Sequence, residues 1–241
     1  VRSKTPKLGA QALKGQRIIV TSGPTQGPID AVRFITNRSS GRLGARIAED
    51  ALKRGAIVDF VYGVDSLLPD MRQCGPDAAG NLNAFPIVTV SDLCERMRER
   101  LTCGPVAAVI HAMAVLDYEP IERLDCKVQS RENEEWVIRL RRTPKVITQI
   151  KSWNPGVILV GFKLEVHKTK NELVRIASGA LIANRADMVV VNDLDNIRGE
   201  EHQAWIIGPA GQILAECATK NQIAAKLNDL IAEAVSERDG G

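Results

Sequence analysis

Residues 32–44 read VRFITNRSSGRLG and concentrate anion-handling side chains within one short stretch. Arg33 offers a planar fork that pairs with an anion; the plainer role is a surface salt bridge. Asn37 can both donate and accept a hydrogen bond, and an Asx turn or local helix cap competes for it. Ser39, Ser40 and Gly41 stand where a glycine-rich turn gives way to an amphipathic helix. Unpaired N–H groups and the positive dipole end make such a helix start a place to hold phosphate. An ordinary N-cap accounts for one of the serines equally well.

The elements that must position these groups alternate. Arg17–Ser22 (RIIVTS) is an apolar run suited to a buried parallel strand. The loop 23–37 is long for a strand-to-helix connection, and long loops in compact domains are usually functional. A helix from Ser40 or Gly41 carries Leu43, Ile47, Ala51 and Leu52 on one face and stops at Gly55. Strands are expected at 56–62, at 87–90 (with Ser91 capping a helix over 92–101) and at 106–114. This β-α-β-x-β-α-β order implies a parallel sheet with right-handed crossovers.

The pattern changes at Asp117. Residues 118–142 hold charges and a short alternating stretch, Trp136–Leu140, which suits an antiparallel flap. Thr143-Pro144 reads as an N-cap with proline at the first helical position, opening a helix to about Trp153. A strand at 157–165, a helix at 171–184 and a strand at 188–192 complete the alternation. A hairpin (202–207 and 212–216) follows, turned by Gly208-Pro209-Ala210-Gly211, and the last helix starts at a capping box, Thr219-x-x-Gln222. The expected fold is α/β: a doubly wound, mostly parallel, Rossmann-like sheet with an antiparallel flap and a C-terminal hairpin. Residues 1–16 read as a tail or a linker, and 17–241 as one domain.

Composition narrows the function classes. With 241 residues, 44% hydrophobic and 25% charged, the chain can bury an ample core. A net charge of +3 is too small to argue for nucleic acid or membrane partners. No run approaches the roughly 20 apolar residues of a membrane span, and the polar start is unlike a signal peptide. Five scattered cysteines, none in CxxC spacing, argue against a zinc site or a disulfide framework and suit reduced thiols in a cytoplasmic protein.

Ligands of open α/β sheets bind beyond the carboxyl ends of the strands. Four polar segments fall there: 23–37 with the helix that follows, 111–118, 162–165 and 192–193. The nucleotide-binding fingerprints are missing. Gly23, Gly27, Gly41 and Gly44 do not form a GxGxxG turn after the first strand, and no GxxxxGK[ST] loop occurs.

These segments together resemble the phosphopantothenoylcysteine synthetases of coenzyme A biosynthesis. The likeness runs in order from about 15 to 235: the stretch from Thr21 to Gly44, His111–Tyr118 (HAMAVLDY), Lys127-Val128-Gln129-Ser130, Thr143-Pro144-Lys145, Gly161–Glu165 and Val191-Asn192-Asp193. The resemblance implies a ligase. The carboxylate of 4′-phosphopantothenate attacks the α-phosphate of a nucleoside triphosphate, and the cysteine amine then attacks the acyl-nucleotide.

It also implies roles. Asn37 handles the acyl intermediate, and Lys127, on the flap, neutralises the triphosphate, although on its own it reads as a solvated surface lysine. Arg33, Asn37, Ser39, Ser40 and Gly41 bind substrate. The nucleotide falls to the backbone at His111, Ala112 and Met113, to Asp117, Lys127, Pro144, Lys145, Val146 and Ile147, and to Phe162. Outside that resemblance, Asp117 caps a turn, Phe162 is core, and His111 is a core histidine with no acid–base role.

Mg²⁺ is the implied cofactor, with CTP favoured over ATP as co-substrate; no metal ligands can be named. The implied partners are a second copy whose flap region helps cover the site, and a flavin-dependent decarboxylase domain. Two departures stand out: 180–184 reads ALIAN where many bacterial members place lysines, and Leu116 replaces a small residue. The competing functions are an NAD(P)-binding oxidoreductase and a non-catalytic partner of the decarboxylase.

Overall fold

The computed structural model describes residues 11–129 and 135–239. Ser130, quoted above with the flap lysine, and residues 1–10 lie outside them. In chain order the elements are β1 (Arg17–Ser22), β2 (Gln26–Pro28), β3 (Phe34–Thr36), α1 (Arg42–Lys53), β4 (Ile57–Gly63), β5 (Leu82–Ile87), α2 (Val90–Thr102), β6 (Ala108–His111), β7 (Tyr118–Pro120), β8 (Leu140–Arg142), α3 (Val146–Trp153), β9 (Ile158–Glu165), α4 (Lys170–Asn184), β10 (Met188–Arg198), β11 (Glu201–Ile207), β12 (Ile213–Thr219) and α5 (Lys220–Asp239).

Eight strands form one sheet in the order β12-β11-β10-β9-β6-β1-β4-β5. The six from β5 to β10 run parallel, and β11 and β12 return antiparallel. Chain order reverses direction between β1 and β6, which is where an open α/β sheet opens its ligand crevice. Alternation along the buried strands sends side chains to two faces. Ile18 and Val20 pack with α1 and α5, whereas Ile19 and Val61 pack with α2 and α3. A third cluster seats α4 on Val189, Val191 and Trp205. The flap is a two-stranded β7–β8 ribbon outside this sheet.

Several expectations shift. The strand expected at 87–90 is β5, five residues earlier, and Thr89 rather than Ser91 caps α2 in a full capping box with Asp92. The strand expected to run to 114 ends at His111. Within the flap only Leu140–Arg142 pairs as a strand on the C-terminal side. The cap of α3 is Lys145, without a side-chain hydrogen bond; Thr143 instead donates its hydroxyl to the Leu116 carbonyl at 2.5 Å. Residues 11–16, read as tail, belong to the domain: Leu13 is fully buried and its N–H bonds the Arg54 carbonyl.

Candidate active site

At the end of β1 the chain turns at Gly23 with φ +76°, and a Cβ there would lie 1.8 Å from Ser66 Oγ. Both facts demand glycine. Ser66, on the loop after β4, has a buried hydroxyl with no hydrogen-bond partner. Its loop is tied to the serines, because the Leu67 N–H donates to the Ser40 carbonyl at 2.9 Å. The N-cap of α1 is Gly41, left-handed and without side-chain capping, so the ordinary serine cap is not what forms. Ser39 Oγ accepts the Gly41 N–H at 3.4 Å, and Ser22 Oγ donates to the Gly41 carbonyl at 2.9 Å. The first-turn N–H groups of α1 are thereby left without a side-chain cap, and this is what anion binding requires.

Beyond β6 the strand-end loop runs back along the loop after β1. Ala114 N–H donates to the Gly23 carbonyl at 2.8 Å, and Leu116 N–H donates to Thr25 Oγ1 at 2.9 Å. Asn37 Nδ2 donates to the carbonyls of Ala114 and Val115, each at 3.2 Å. Its carboxamide therefore bridges to the neighbouring strand end, which neither an Asx turn nor a local cap would do. His111 accepts from Thr21 Oγ1 across Nδ1 at 3.0 Å when neutral, and Met113 N–H donates to the same hydroxyl at 3.3 Å. Burial pushes the His111 pKa down to about 4, so it is the core histidine anticipated.

The flap leaves and rejoins this edge through a closed neck: Thr143 N–H donates to the Asp117 carbonyl at 3.0 Å. Asp117, Lys127, Pro144 and Lys145 are all exposed. A buried carboxylate, Asp30, helps hold the flap to the β2–β3 hairpin, beside a bond from Leu124 N–H to the Ile29 carbonyl at 2.9 Å. Its Oδ1 accepts from the N–H groups of Val32 and Arg33, and its Oδ2 accepts from Val128 N–H at 3.2 Å. Burial alone would raise its pKa, but those three N–H donors and the Arg33 charge hold it below the ordinary carboxylate range. Arg33 donates to the Val128 carbonyl at 3.1 Å and stacks 4.9 Å over the Trp136 ring. Lys127 thus directly precedes the flap's anchor.

Across the crevice, Val146 and Ile147 are buried at the start of α3. A Cβ on Gly161 would come within 3.1 Å of Ile147 Cδ1, so α3 abuts β9 one residue before half-buried Phe162, which packs against the α1 side of the core. Within β10, which runs on to Arg198 past the end expected at 192, Asn192 is buried with its Nδ2 unpartnered, whereas Asp193 spends its carboxylate on the N–H groups of Lys168 and Asp195. The structure therefore joins Asn37 to the β6 edge, Arg33 to the flap, and 146–147 to 161. Among the described residues no hydrogen bond links Lys127, Asp117 or Lys145 side chains to the α1 start. Ser66, Thr21 and Thr25 were missed; the only sequence trace of Ser66 is the glycine it forces at position 23.

A doubly wound sheet with an uncapped helix start at its switch point and a polar lid beside it defines a phosphate-holding α/β domain. The chain belongs to the family of DNA/pantothenate metabolism flavoprotein C-terminal domains, whose model matches residues 13–235. It is 33% identical over 93% of its length to the coenzyme A biosynthesis bifunctional protein CoaBC of Thermococcus kodakarensis, covering 53% of that protein. The chain thus spans about half of that curated relative. Among solved structures, the DNA/pantothenate metabolism flavoprotein of Streptococcus pneumoniae superposes with a TM-score of 0.81 at 33% identity, over 91% of this chain and all of that one. The C-terminal domain of a CoaBC protein superposes at 0.75 and 28% identity, over 94% and 99% of the two chains.

Proposed function

We propose that this domain is the phosphopantothenate–cysteine ligase, forming an acyl-nucleotide and then the amide. The observation that carries the reading is the Asn37 carboxamide, four residues before the Gly41 N-cap of α1 in sequence, held on the Ala114 and Val115 carbonyls. Its Nδ2 is committed to protein there, which leaves the amide oxygen to accept from substrate. Ser39, Ser40, Gly41 and the α1 N–H groups take phosphate. Lys127, beside the anchored Val128, supplies positive charge where two anions must meet, and the flap shields the anhydride from water. The backbone at 111–113, Asp117, 144–147 and Phe162 line the nucleotide's path along the strand ends.

Among the described residues no cluster of three His, Cys, Asp or Glu side chains is arranged for a metal. Mg²⁺ would enter on the triphosphate, since it keeps several waters and takes few protein ligands. When bound it neutralises the charge that opposes attack by the carboxylate. CTP is the favoured nucleotide. The flap also carries an apolar groove lined by Ile29, Ile121, Leu124, Trp136 and Val137, which supports a homodimer through this face. A flavin-dependent decarboxylase domain is the second partner. No helix of the described residues is long and apolar enough to cross a membrane, and a cytoplasmic location suits the chemistry.

The test is direct: incubate the protein with 4′-phosphopantothenate, cysteine, Mg²⁺ and either CTP or ATP, and measure pyrophosphate and amide. Amide formed with CTP preferred is expected. Pyrophosphate absent with both nucleotides would remove the ligase assignment and leave the non-catalytic partner.

A further inference from the structure

The β10–β11 turn, residues Gly199 and Glu200, reaches α1 directly after the phosphate-holding segment. Arg42, the first residue of α1, donates from Nη1 to Glu200 Oε1 at 3.1 Å. Arg46, one turn on, donates from Nη1 to Glu49 at 2.9 Å and to Gln73 at 3.4 Å, while its buried Nε lies 3.9 Å from Glu200, too far for a hydrogen bond. Lys220, at the start of α5, is only 6% exposed, and its ammonium donates to the Gly199 carbonyl. His202, 5% exposed, has both ring nitrogens unpartnered and lies within reach of the Lys220 charge.

Two arginines therefore hold one exposed carboxylate, and the Lys220 ammonium is fixed to the same turn. The Arg42–Glu200 pair is about half exposed on each side. Such pairs contribute roughly 0–1 kcal/mol, too little to resist a multiply charged phosphate. A buried lysine bonded only to a carbonyl, next to buried nitrogens with nothing to bond, is costly unless an acceptor completes the set.

We propose that Arg42, Arg46 and Lys220, around the Gly199–Glu200 turn, form the subsite for the terminal phosphates of the nucleoside triphosphate, and that Glu200 is the carboxylate those phosphates displace. The proposal rests on the ligase reading above and extends its phosphate site from the α1 backbone to this cluster. Glu200 acts as a placeholder that keeps the arginines ordered between turnovers.

The probe is inorganic tripolyphosphate, titrated calorimetrically into the whole chain at fixed ionic strength. Arg42→Gln should weaken its binding about tenfold, and Glu200→Gln should tighten it about threefold, in line with charge-assisted pairing and a weak competing ion pair. Both sites are exposed, and unchanged thermal melts would confirm intact folding. Wild-type binding in both variants, or no binding by the wild type at millimolar tripolyphosphate, overturns the proposal. The amide assay separates it from the ligase reading. Variant-sensitive binding without amide product keeps the subsite and removes the ligase; amide product with variant-insensitive binding does the reverse.

Discussion

The two walls of the crevice are built differently. The wall formed by β1, β6 and the start of α1 is held by backbone and by fully buried hydroxyls: Thr21 and Thr25 bond across the switch point, and Ser22 bonds the α1 start. The flap wall is tethered to the β2–β3 hairpin by few bonds: the Asp30 carboxylate, the Arg33 guanidinium and the Leu124 N–H on the Ile29 carbonyl. A fixed wall suits groups that must be in place before substrate arrives, because preorganised donors cost no reorganisation during reaction. A lightly tethered wall suits a lid, since segments that move come from the low-stability end of a structure. On the proposed reading, binding falls to the fixed wall and shielding to the tethered one.

The largest effect should come from the lid's cation. Lys127→Gln is expected to lower kcat by about 10²–10³, the usual cost of removing one charge-stabilising donor, while the thermal melt stays put because Lys127 is exposed. Single-turnover analysis should show acyl-nucleotide forming or reacting slowly. Turnover equal to wild type would strip the flap of its chemical role. Asn37→Asp probes the fixed wall in the same assay. A second acceptor oxygen then faces two carbonyls in place of the donor, so intermediate handling should fall with little loss of nucleotide affinity.

The fixed wall should break through stability instead. Gly23→Val forces a β-branched residue to φ +76° and places Cβ within bonding distance of Ser66 Oγ. Strain and overpacking together should cost roughly 2–5 kcal/mol, or about 5–15 °C in melting temperature for a domain this size. A melt within a degree of wild type would show that the Gly23–Ser66 contact relaxes freely, and the fixed wall would not be fixed.

Asp30→Asn is aimed at the joint between the walls. Asn can keep Oδ1 for Val32 and Arg33, but it turns an NH₂ toward the Val128 N–H that Oδ2 accepted. Donor then meets donor, and only the flap tether is lost. Limited proteolysis within 118–142 should become several-fold faster, with the nucleotide KM raised and the global melt little changed. Equal cleavage rates would mean that Arg33 and the Leu124–Ile29 bond hold the flap without Asp30.

How much of this was legible follows from where each signal lives. β1 and β9 are continuous apolar runs buried on both faces, so composition alone marks them. β5 is an edge strand with an exposed, mixed sequence and a proline, and its pairing to β4 is a tertiary fact. The β2–β3 hairpin, three residues a side, is organised by Asp30, whose bonds to its own turn and to Val128 ninety-eight positions away leave no periodic trace. Leu13 reads as a lone apolar residue in a tail until its backbone is seen to pair with Arg54. At the site, Asn37, Ser39 and Gly41 stood out because a turn, a carboxamide and a helix start coincide in sequence. Ser66, Glu200 and Lys220 come from three distant loops, and only the sheet order brings them to α1.

Acid should separate the two walls with the smallest effect of all at neutral pH. His111 sits beneath the fixed wall with its pKa lowered to about 4, and burial lowers His202 likewise to about 4, with Lys220 adding to the shift. Above the ordinary histidine value of about 6.5 neither state holds these protons, so nothing is gained or lost. Below it the unfolded chain takes up protons that the folded chain refuses, and stability must fall as pH drops from about 6.5 to about 4. Fully developed, this amounts to roughly 3 kcal/mol per histidine. The Asp30 tether is displaced in the same direction but from a lower start: its depressed pKa supplies stability that persists above the ordinary carboxylate value and is lost only as pH falls through the lower folded one. The lid should therefore stay tethered, by the proteolysis measure, across a range where the global melt is already dropping. His111→Asn should remove about half of the pH 6.5-to-4 slope. A wild-type melting temperature flat over that interval would show both imidazoles taking up protons in the folded protein, and the fixed wall would be wetter than its packing implies.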